Sequence, residues 1–350
     1  MSQRIKAGLA AVPLLAVMWV LAAVVPLPYV TYYPGPTLDV LGDREDGEPI
    51  VGVEGHRTYE PEGHLSLTTI YVDPPERRVG LLRLMGAWLD PDAAVYPRSA
   101  VYAPDVTDEQ DHEMSEILMV SSQDAAVAAA LTEMGYDLPT VVQVFHVEAG
   151  MPAEGKVEFG DQIVSVDGTE VEDPEQVSKI VRGKPAGTTM TWVLRRGGQD
   201  VEVELAAEES DGAPRVGVTP GPGYQFPFDV NVDPGGGIGG PSAGLVFALA
   251  IYDNLTPGPL TGGHKVAGTG EITSTGVVRP IGGAQQKVAA ARDQGNELFL
   301  VPSANCDSLG GVDNGDMRVV SVATLREAVD ALETWTDDPD ADLPSCEDDK

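Results

Sequence analysis

The pattern of apolar and polar residues divides the chain into segments with different expected structures. At the N-terminus, residues 7–25 are nineteen residues without a charge, preceded by two basic residues. Since about 20 apolar residues span a bilayer, we expect a transmembrane helix over residues 7–27. The basic residues before it predict that residues 1–6 are cytoplasmic. A cleaved signal peptide is the alternative, because Ala22-Ala23-Val24 weakly matches a cleavage site.

Residues 28–134 mix strand and helix patterns. Segments 29–33 and 64–72 are rich in β-branched and aromatic residues, which favour strands. Residues 81–89 suggest a short helix, and residues 113–134 carry apolar residues at helical spacing. Nothing in these patterns points to chemistry, so we expect an extracytoplasmic scaffold around the next domain.

Residues 135–207 have the pattern of a small β-rich domain with one helix. Gly160-Asp161 and Asp167-Gly168 are turn-forming pairs between alternating strands. A helix pattern lies near residues 174–182. The predicted strands cover residues 141–147, 189–195 and 200–205.

This order of elements resembles a PDZ domain, and an unrelated small β-rich domain is the alternative. The resemblance implies capture of an extended peptide ligand beside a strand. It also implies that the ligand's end binds near Gly135, Tyr136 and Leu138. Residues 208–223 are rich in Glu, Asp, Gly and Pro and are predicted to be a linker.

A glycine-rich loop precedes the most informative serine of the chain. The loop ends in Gly239-Gly240-Pro241-Ser242, and an apolar run over residues 245–251 follows. Pro241 favours a helix start. Glycine amides and helix N-terminal N–H groups stabilise an oxyanion, so Gly239 and Gly240 are candidates for an oxyanion or substrate loop. The alternatives are a plain turn serine and a phosphate-binding loop.

Lys287 is the candidate base for that serine. A serine hydroxyl needs a base to take its proton, and lysine serves only where burial lowers its pKa. Lys287 lies among Ile281, Val288, Ala289 and Ala290, so one side of its helix is apolar. Most lysines are solvated, which is the alternative reading. The chain has no G-x-x-x-x-G-K-[ST] string, so P-loop nucleotide hydrolysis is unsupported.

Three motifs in order make residues 228–335 resemble the proteolytic domain of Lon-type serine proteases. They are Gly-Pro-Ser-Ala-Gly at 240–244, Thr-Gly-Glu-Ile at 269–272, and Pro-Ile-Gly-Gly at 280–283 with Lys287 four residues on. The resemblance implies Ser242 as nucleophile, Lys287 as general base and Thr269 as a hydroxyl that orients the lysine. It also implies an α/β fold like domain 2 of ribosomal protein S5 over residues 224–335, and a hexamer.

One departure from the Lon pattern is visible upstream of the serine. ATP-dependent Lon proteases carry His-x-His there, whereas this chain reads Asp229-Val230-Asn231-Val232-Asp233. An auxiliary histidine is therefore in doubt, although the serine–lysine pair does not require one.

The whole order of segments resembles bacterial membrane-anchored, PDZ-containing Lon-like proteases without the ATPase module. We therefore expect an α+β multidomain, single-pass protein of the cell membrane. Its catalytic domain would lie outside the cytoplasm and act as an ATP-independent serine endopeptidase on proteins or peptides that the PDZ domain recruits or gates. A catalytically silent, membrane-tethered PDZ adaptor is the second hypothesis, and phosphotransfer is the third.

Composition restricts the partners further. The formal net charge of −33 disfavours nucleic acid, because phosphates would be repelled. The five histidines form no H-E-x-x-H string, so we expect neither a metal nor a cofactor. Cys306 and Cys346 are candidates for a disulfide that would tie an acidic tail, residues 336–350, to the catalytic domain; two free thiols are the alternative.

Overall fold

The computed structural model describes the chain in five stretches, which are residues 11–20, 25–44, 46–196, 198–210 and 212–347. All statements about the structure below concern these residues.

The transmembrane helix predicted over residues 7–27, and the single-pass membrane location inferred from it, are wrong. In the described stretches, no helix is both long and apolar enough to cross a bilayer. Within the predicted span, residues 11–20 are helical. Residues 7–10 and 21–24, like residues 1–6, lie outside the described part.

A six-stranded mixed sheet forms the larger half of the protein. From one edge to the other its strands are β18 (Arg318–Val322), β17 (Leu298–Pro302), β14 (Lys265–Gly268), β3 (His64–Val72), β1 (Tyr29–Asp39) and β4 (Ala94–Pro97). The strand β14 runs parallel to both β17 and β3, while β1 is antiparallel to β3 and β4. The N-terminal region, expected to be a scaffold, thus supplies half of this sheet.

Seven labelled helices surround or join the sheets. They are α1 (Leu81–Leu89), α2 (Arg98–Val101), α3 (Asp108–Glu133), α4 (Pro174–Arg182), α5 (Gly244–Leu255), α6 (Ala284–Asp293) and α7 (Leu325–Asp337). The helix α5 is apolar on all sides and is almost completely buried, as expected of a helix in the centre of a core. The helix α3 packs along it and begins with a capping box between Thr107 and Gln110.

A second sheet forms the predicted PDZ domain around its own core. Its path is β12 (Val218–Tyr224), β5 (Thr140–Val147), β6 (Gln162–Val166), β8 (Thr189–Arg196) and β9 (Gln199–Ala206), and β7 (Thr169–Glu170) pairs with β6. Asp173 caps α4 and accepts a hydrogen bond from the N–H of Gln176. Trp192 is buried at the centre of this core.

The segment 208–223, predicted to be a linker, contains strands. β10 (Glu208–Ser210) pairs with β11 (Ala213–Arg215), and β12 forms the edge of the PDZ sheet beside β5. Proline is tolerated in an edge strand, because its missing N–H faces away from the ladder. The strand therefore forms despite a Pro- and Gly-rich sequence.

Short elements complete the larger half. β13 (Asp229–Val232) pairs with β2 (Val51–Glu54), and β15 (Glu271–Ile272) pairs with β16 (Val278–Arg279). Short 3-10 helices cover Pro241–Ala243 and Ser303–Leu309. A disulfide joins Cys306 to Cys346 and holds the C-terminal segment against the core that contains Val288.

Candidate active site

The loop before Ser242 is held by α3 through two hydrogen bonds. The N–H of Gly240 donates to the carbonyl of Ser115 at 2.9 Å. The hydroxyl of Ser122 donates to the carbonyl of Pro241 at 2.9 Å. Gly240 has φ of 83°, which favours glycine, and a Cβ on Gly239 would lie 2.9 Å from the Cβ of Ser115. The two glycines thus allow the loop to pack closely on α3.

Ser242 is fixed from the other side by the segment that follows β14. The N–H of Gly270 donates to the carbonyl of Ser242 at 2.8 Å, and the hydroxyl of Thr269 donates to the same carbonyl at 3.0 Å. Within the described chain, the N–H of Ser242 has no acceptor. The N–H groups at the start of a helical turn have no partner within the helix, so this N–H is a candidate donor to a negatively charged oxygen.

Lys287 meets Ser242 across the sheet. Its Nζ lies 2.7 Å from Oγ of Ser242 and 3.0 Å from Oγ1 of Thr269. The lysine is in the first turn of α6, which begins after Gly283. Gly283 has φ of 69°, and a Cβ there would lie 2.8 Å from Cδ1 of Ile70. Glycine is therefore required for α6 to start close enough to the sheet to deliver the lysine.

Burial changes the acid–base chemistry of this lysine. Its side chain lies in an almost solvent-free position, with 2% of the residue exposed. Removal from water disfavours the ammonium form and lowers the pKa of Lys287 to about 7. No ion pair between this ammonium and a carboxylate is found in the described chain to offset that effect. A large fraction of the lysine is therefore neutral, and basic, at neutral pH.

Thr269 sets the direction of the hydrogen bonds at the lysine. It is fully buried, and its single hydroxyl proton is directed to the carbonyl of Ser242. Its oxygen can therefore only accept from Nζ of Lys287. A neutral lysine that donates one proton to Thr269 turns its lone pair toward the hydroxyl of Ser242.

A cleft of about 500 Å³ opens in front of these three side chains. One wall is the glycine-rich loop, residues 237–240, and the opposite wall is β3, residues 67–72. Tyr32, Tyr102 and Asp111 line the cleft as well. Sequence reasoning missed these three residues, because nothing in their local pattern shows that they meet the nucleophile loop in space.

Gly135, Tyr136 and Leu138, predicted to bind a PDZ ligand, lie against the core of the larger half. The hydroxyl of Tyr136 is 3.2 Å from Nε2 of His56, and its ring contacts the ring of Phe228 edge-on. Leu138 packs against the same core. Gly135 ends the turn after α3. The structure does not bring these residues to a groove of the PDZ sheet.

A groove does lie between α4 and β12 in the PDZ domain. Its cavity of about 200 Å³ is floored by Val177, Val181 and Trp192. The loop at Val216-Gly217 closes one end, and Gly217 has φ of 80°. In the sequence, Gly217 between two valines at the start of β12 is the pattern that could have indicated this site. The prolines of that strand favoured a linker instead.

Comparisons with known proteins agree with both halves of the structure. Residues 229–333 match the family model of the Lon protease (S16) C-terminal proteolytic domain. Residues 229–333 therefore form a Lon-type proteolytic domain. Residues 115–206 match the PDZ domain model. The predictions of a Lon-type domain and of a PDZ domain are confirmed, and the Lon-type domain supports the prediction of a serine endopeptidase.

Several curated Lon proteases are similar to part of this chain. Lon protease 2 of Bacillus subtilis is 33% identical over 107 residues, which are 30% of this chain and 19% of the relative. Lon protease 2 of Herpetosiphon aurantiacus is 33% identical over 157 residues, or 44% of this chain and 18% of the relative. Lon protease of Campylobacter concisus is 38% identical over 94 residues, 26% of this chain and 11% of the relative. The chain thus spans less than a fifth of these proteins.

Among solved structures, the PDZ domain of an SdrC-like protein from Listeria monocytogenes matches 23% of this chain and 86% of its own. The sequence identity is 22% and the TM-score is 0.22. The corresponding domain from Listeria innocua matches 23% of this chain and 92% of its own, with 23% identity and a TM-score of 0.22.

Proposed function

We propose that this protein is a serine endopeptidase in which Ser242 is the nucleophile and neutral Lys287 is the general base. The observation that supports it most is the 2.7 Å separation between Nζ of Lys287 and Oγ of Ser242 inside a buried site. The matches to Lon proteases support the same reaction class. Protein or peptide chains are the proposed substrates.

The reaction proceeds through an acyl-enzyme. Nζ of Lys287 takes the proton of Ser242 while Oγ attacks the carbonyl carbon of the scissile peptide bond. The backbone N–H of Ser242 donates to the oxyanion that forms. The C–N bond then breaks, and the lysine ammonium gives its proton to the leaving amine. Water, deprotonated by the lysine, attacks the ester, and Ser242 regains a proton as the carboxylic acid product leaves.

Covalent labelling tests the catalytic pair directly. The full chain, as wild type, Ser242→Ala and Lys287→Ala, is treated with a peptidyl electrophile and analysed by intact mass and peptide mapping. We expect one adduct on Ser242 in the wild type and none in either variant. Folded wild-type protein without an adduct, or an adduct on another residue, would contradict the assignment.

We propose that hydrolysis by this chain needs no ATP, because its 350 residues contain no P-loop string. Peptide hydrolysis by the wild type should be the same with and without ATP and magnesium. A requirement for ATP would disprove this part of the proposal. The hexamer implied by resemblance to Lon proteases stays a prediction, which sedimentation of the full chain tests.

The PDZ domain is proposed to recruit substrate through the groove between α4 and β12. The strand β12 is the edge of its sheet, so an extended peptide can add to it as a further strand. Ser178 lies on α4 at this groove. Ser178→Trp should fill the groove and weaken both peptide binding and cleavage of protein substrates, whereas Ser178→Ala should leave both unchanged. Equal binding by the two variants would place the ligand elsewhere.

A further inference from the structure

One carboxylate stands on the wall of the catalytic cleft without a partner. Of the described residues that line the cleft, Asp111 is the only acidic one and Lys287 the only basic one. Asp111 lies in the first turn of α3, and its carboxylate forms no hydrogen bond or ion pair with a side chain in the described stretches. It is partly buried, so its negative charge is less screened than a surface charge.

Two tyrosines stand beside this carboxylate. Tyr32 and Tyr102 line the same cleft. Burial is the main cause that raises the pKa of both phenols; the charge of Asp111 raises it further, after Tyr96 in the case of Tyr32. The hydroxyl of Tyr102 donates to the carbonyl of Asp73 at 2.8 Å, which fixes its ring. Arg98 lies over that ring at 5.6 Å but lines neither the cleft nor the chamber beyond it.

A second chamber of about 530 Å³ adjoins the cleft at Asp111. Val101, Tyr102 and Asp111 line both cavities, so the two are adjacent. In this chamber α3 contributes an apolar patch of Met114 and Ile117 beside polar residues such as Gln110 and Glu113, and Met114 is 55% exposed. The PDZ domain forms the far wall. An apolar face left open between two domains is suited to an apolar side chain of a bound chain.

The other ionisable side chains at the chamber lie close to one another in two pairs. Nε2 of His146 lies 2.7 Å from Oε1 of Glu113 across the interface between α3 and the PDZ domain. The guanidinium of Arg215 lies 3.6 Å from the carboxylate of Glu148. The unpaired charge at the junction of the two cavities is therefore that of Asp111.

We propose that Asp111, with Tyr32 and Tyr102, forms a specificity subsite for a lysine or arginine side chain of the substrate, while the chamber takes an adjacent apolar side chain. A carboxylate forms strong charge-assisted hydrogen bonds with an ammonium or guanidinium group, and the faces of tyrosine rings attract such cations as well. The net charge of −33 raises the concentration of cationic segments near the protein. This subsite deepens the proposed function and rests on it.

Matched peptides test the subsite. A mass-spectrometric peptide library first identifies the cleaved sequences, and quenched substrate pairs then differ only by lysine or its neutral analogue norleucine. The full-length wild type should prefer lysine by about tenfold in kcat/KM. Asp111→Asn should abolish this preference, because the charge that distinguishes lysine from norleucine is lost.

Three controls separate specificity from damage. Asp111→Glu, which keeps the charge, should keep the preference. Glu109→Gln removes a charge on the same helix turn that lines neither cavity and should also keep it. Asp111→Lys should reverse the preference toward glutamate.

Two outcomes would overturn the subsite in distinguishable ways. Labelling of Ser242 with equal cleavage of lysine and norleucine peptides, or an Asp111→Asn variant that keeps the lysine preference, would refute the subsite alone. Wild-type protein that neither labels nor cleaves any peptide would refute the proposed function, and the subsite with it.

Discussion

Ser122, in the middle of α3, donates its hydroxyl to the carbonyl of Pro241, the residue directly before Ser242. The two residues are 119 positions apart in the chain. A helix from the N-terminal half therefore determines where the predicted nucleophile stands, together with the hydrogen bond from Gly240 to Ser115.

Removal of this hydrogen bond should weaken catalysis and stability together. Ser122→Ala leaves the carbonyl of Pro241 without its donor, so the free energy of unfolding should fall by about 1–2 kcal/mol. Labelling of Ser242 should slow several-fold because the loop is less fixed. Ser121→Ala, at the neighbouring and partly exposed position, serves as the control. Chemical denaturation and labelling rates measure both effects; unchanged labelling by Ser122→Ala would show that the loop is positioned without it.

The pH dependence of hydrolysis should follow the ionisation of Lys287. Because burial lowers the pKa of Lys287 to about 7, the neutral base becomes more abundant as pH rises through that value. kcat/KM should therefore rise tenfold per pH unit below about pH 6 and level off above about pH 8. A profile that is flat from pH 5 to 9 would argue against lysine as the base.

Replacement of Lys287 by a neutral side chain of similar length should stabilise the protein. The pKa of this lysine is lower in the folded state than the ordinary value of 10.5, so the unfolded chain binds more protons between about pH 7 and 10.5. The free energy of unfolding of the wild type therefore rises with pH between about pH 7 and 10.5. Below about pH 7 the wild type is least stable relative to a variant with a neutral side chain. Lys287→Met should raise the free energy of unfolding by about 2–4 kcal/mol at pH 7.

The stability gain of Lys287→Met should shrink as pH rises. Chemical denaturation of both proteins at pH 7 and pH 9 measures the gap. A variant less stable than the wild type at pH 7 would mean that the lysine is favourably paired in the fold.

Thr269 should matter through its hydroxyl alone. Thr269→Val keeps the volume but removes the acceptor for Nζ of Lys287 and the donor to the carbonyl of Ser242. We expect kcat to fall by about 10- to 100-fold, because the lysine lone pair is no longer directed at the serine. Thr269→Ser should retain most activity. Equal losses in the valine and serine variants would indicate a packing role for the methyl group instead.

The sequence allowed the catalytic motif to be predicted because its signals are local. A proline before Ser242 starts a helical turn, and the spacing to Lys287 matches a known motif. The burial of Lys287 could not be predicted, because it depends on Ile70 and β3, which are more than 200 residues away in the chain. Likewise, β1 and β3 were predicted as strands, but the pairing of β3 with β14 and of β1 with β3 is not visible in any local pattern.

The position of the PDZ groove was predicted wrongly for a different reason. Local composition was informative but was interpreted wrongly, since Pro220 and Pro222 in β12 are typical of a linker as well as of an edge strand. The pairing of β12 with β5, which decides between the two, is a long-range contact.

The parallel pairing of β3 with β14 has a consequence for the order of events during synthesis. The PDZ domain lies between these strands in the chain and has its own core, so it can fold while later residues are still being made. The large sheet must wait for β14, and Lys287 reaches Ser242 only after α6 has also emerged. The two residues of the proposed catalytic pair therefore meet only after β14 and α6 have both been synthesised.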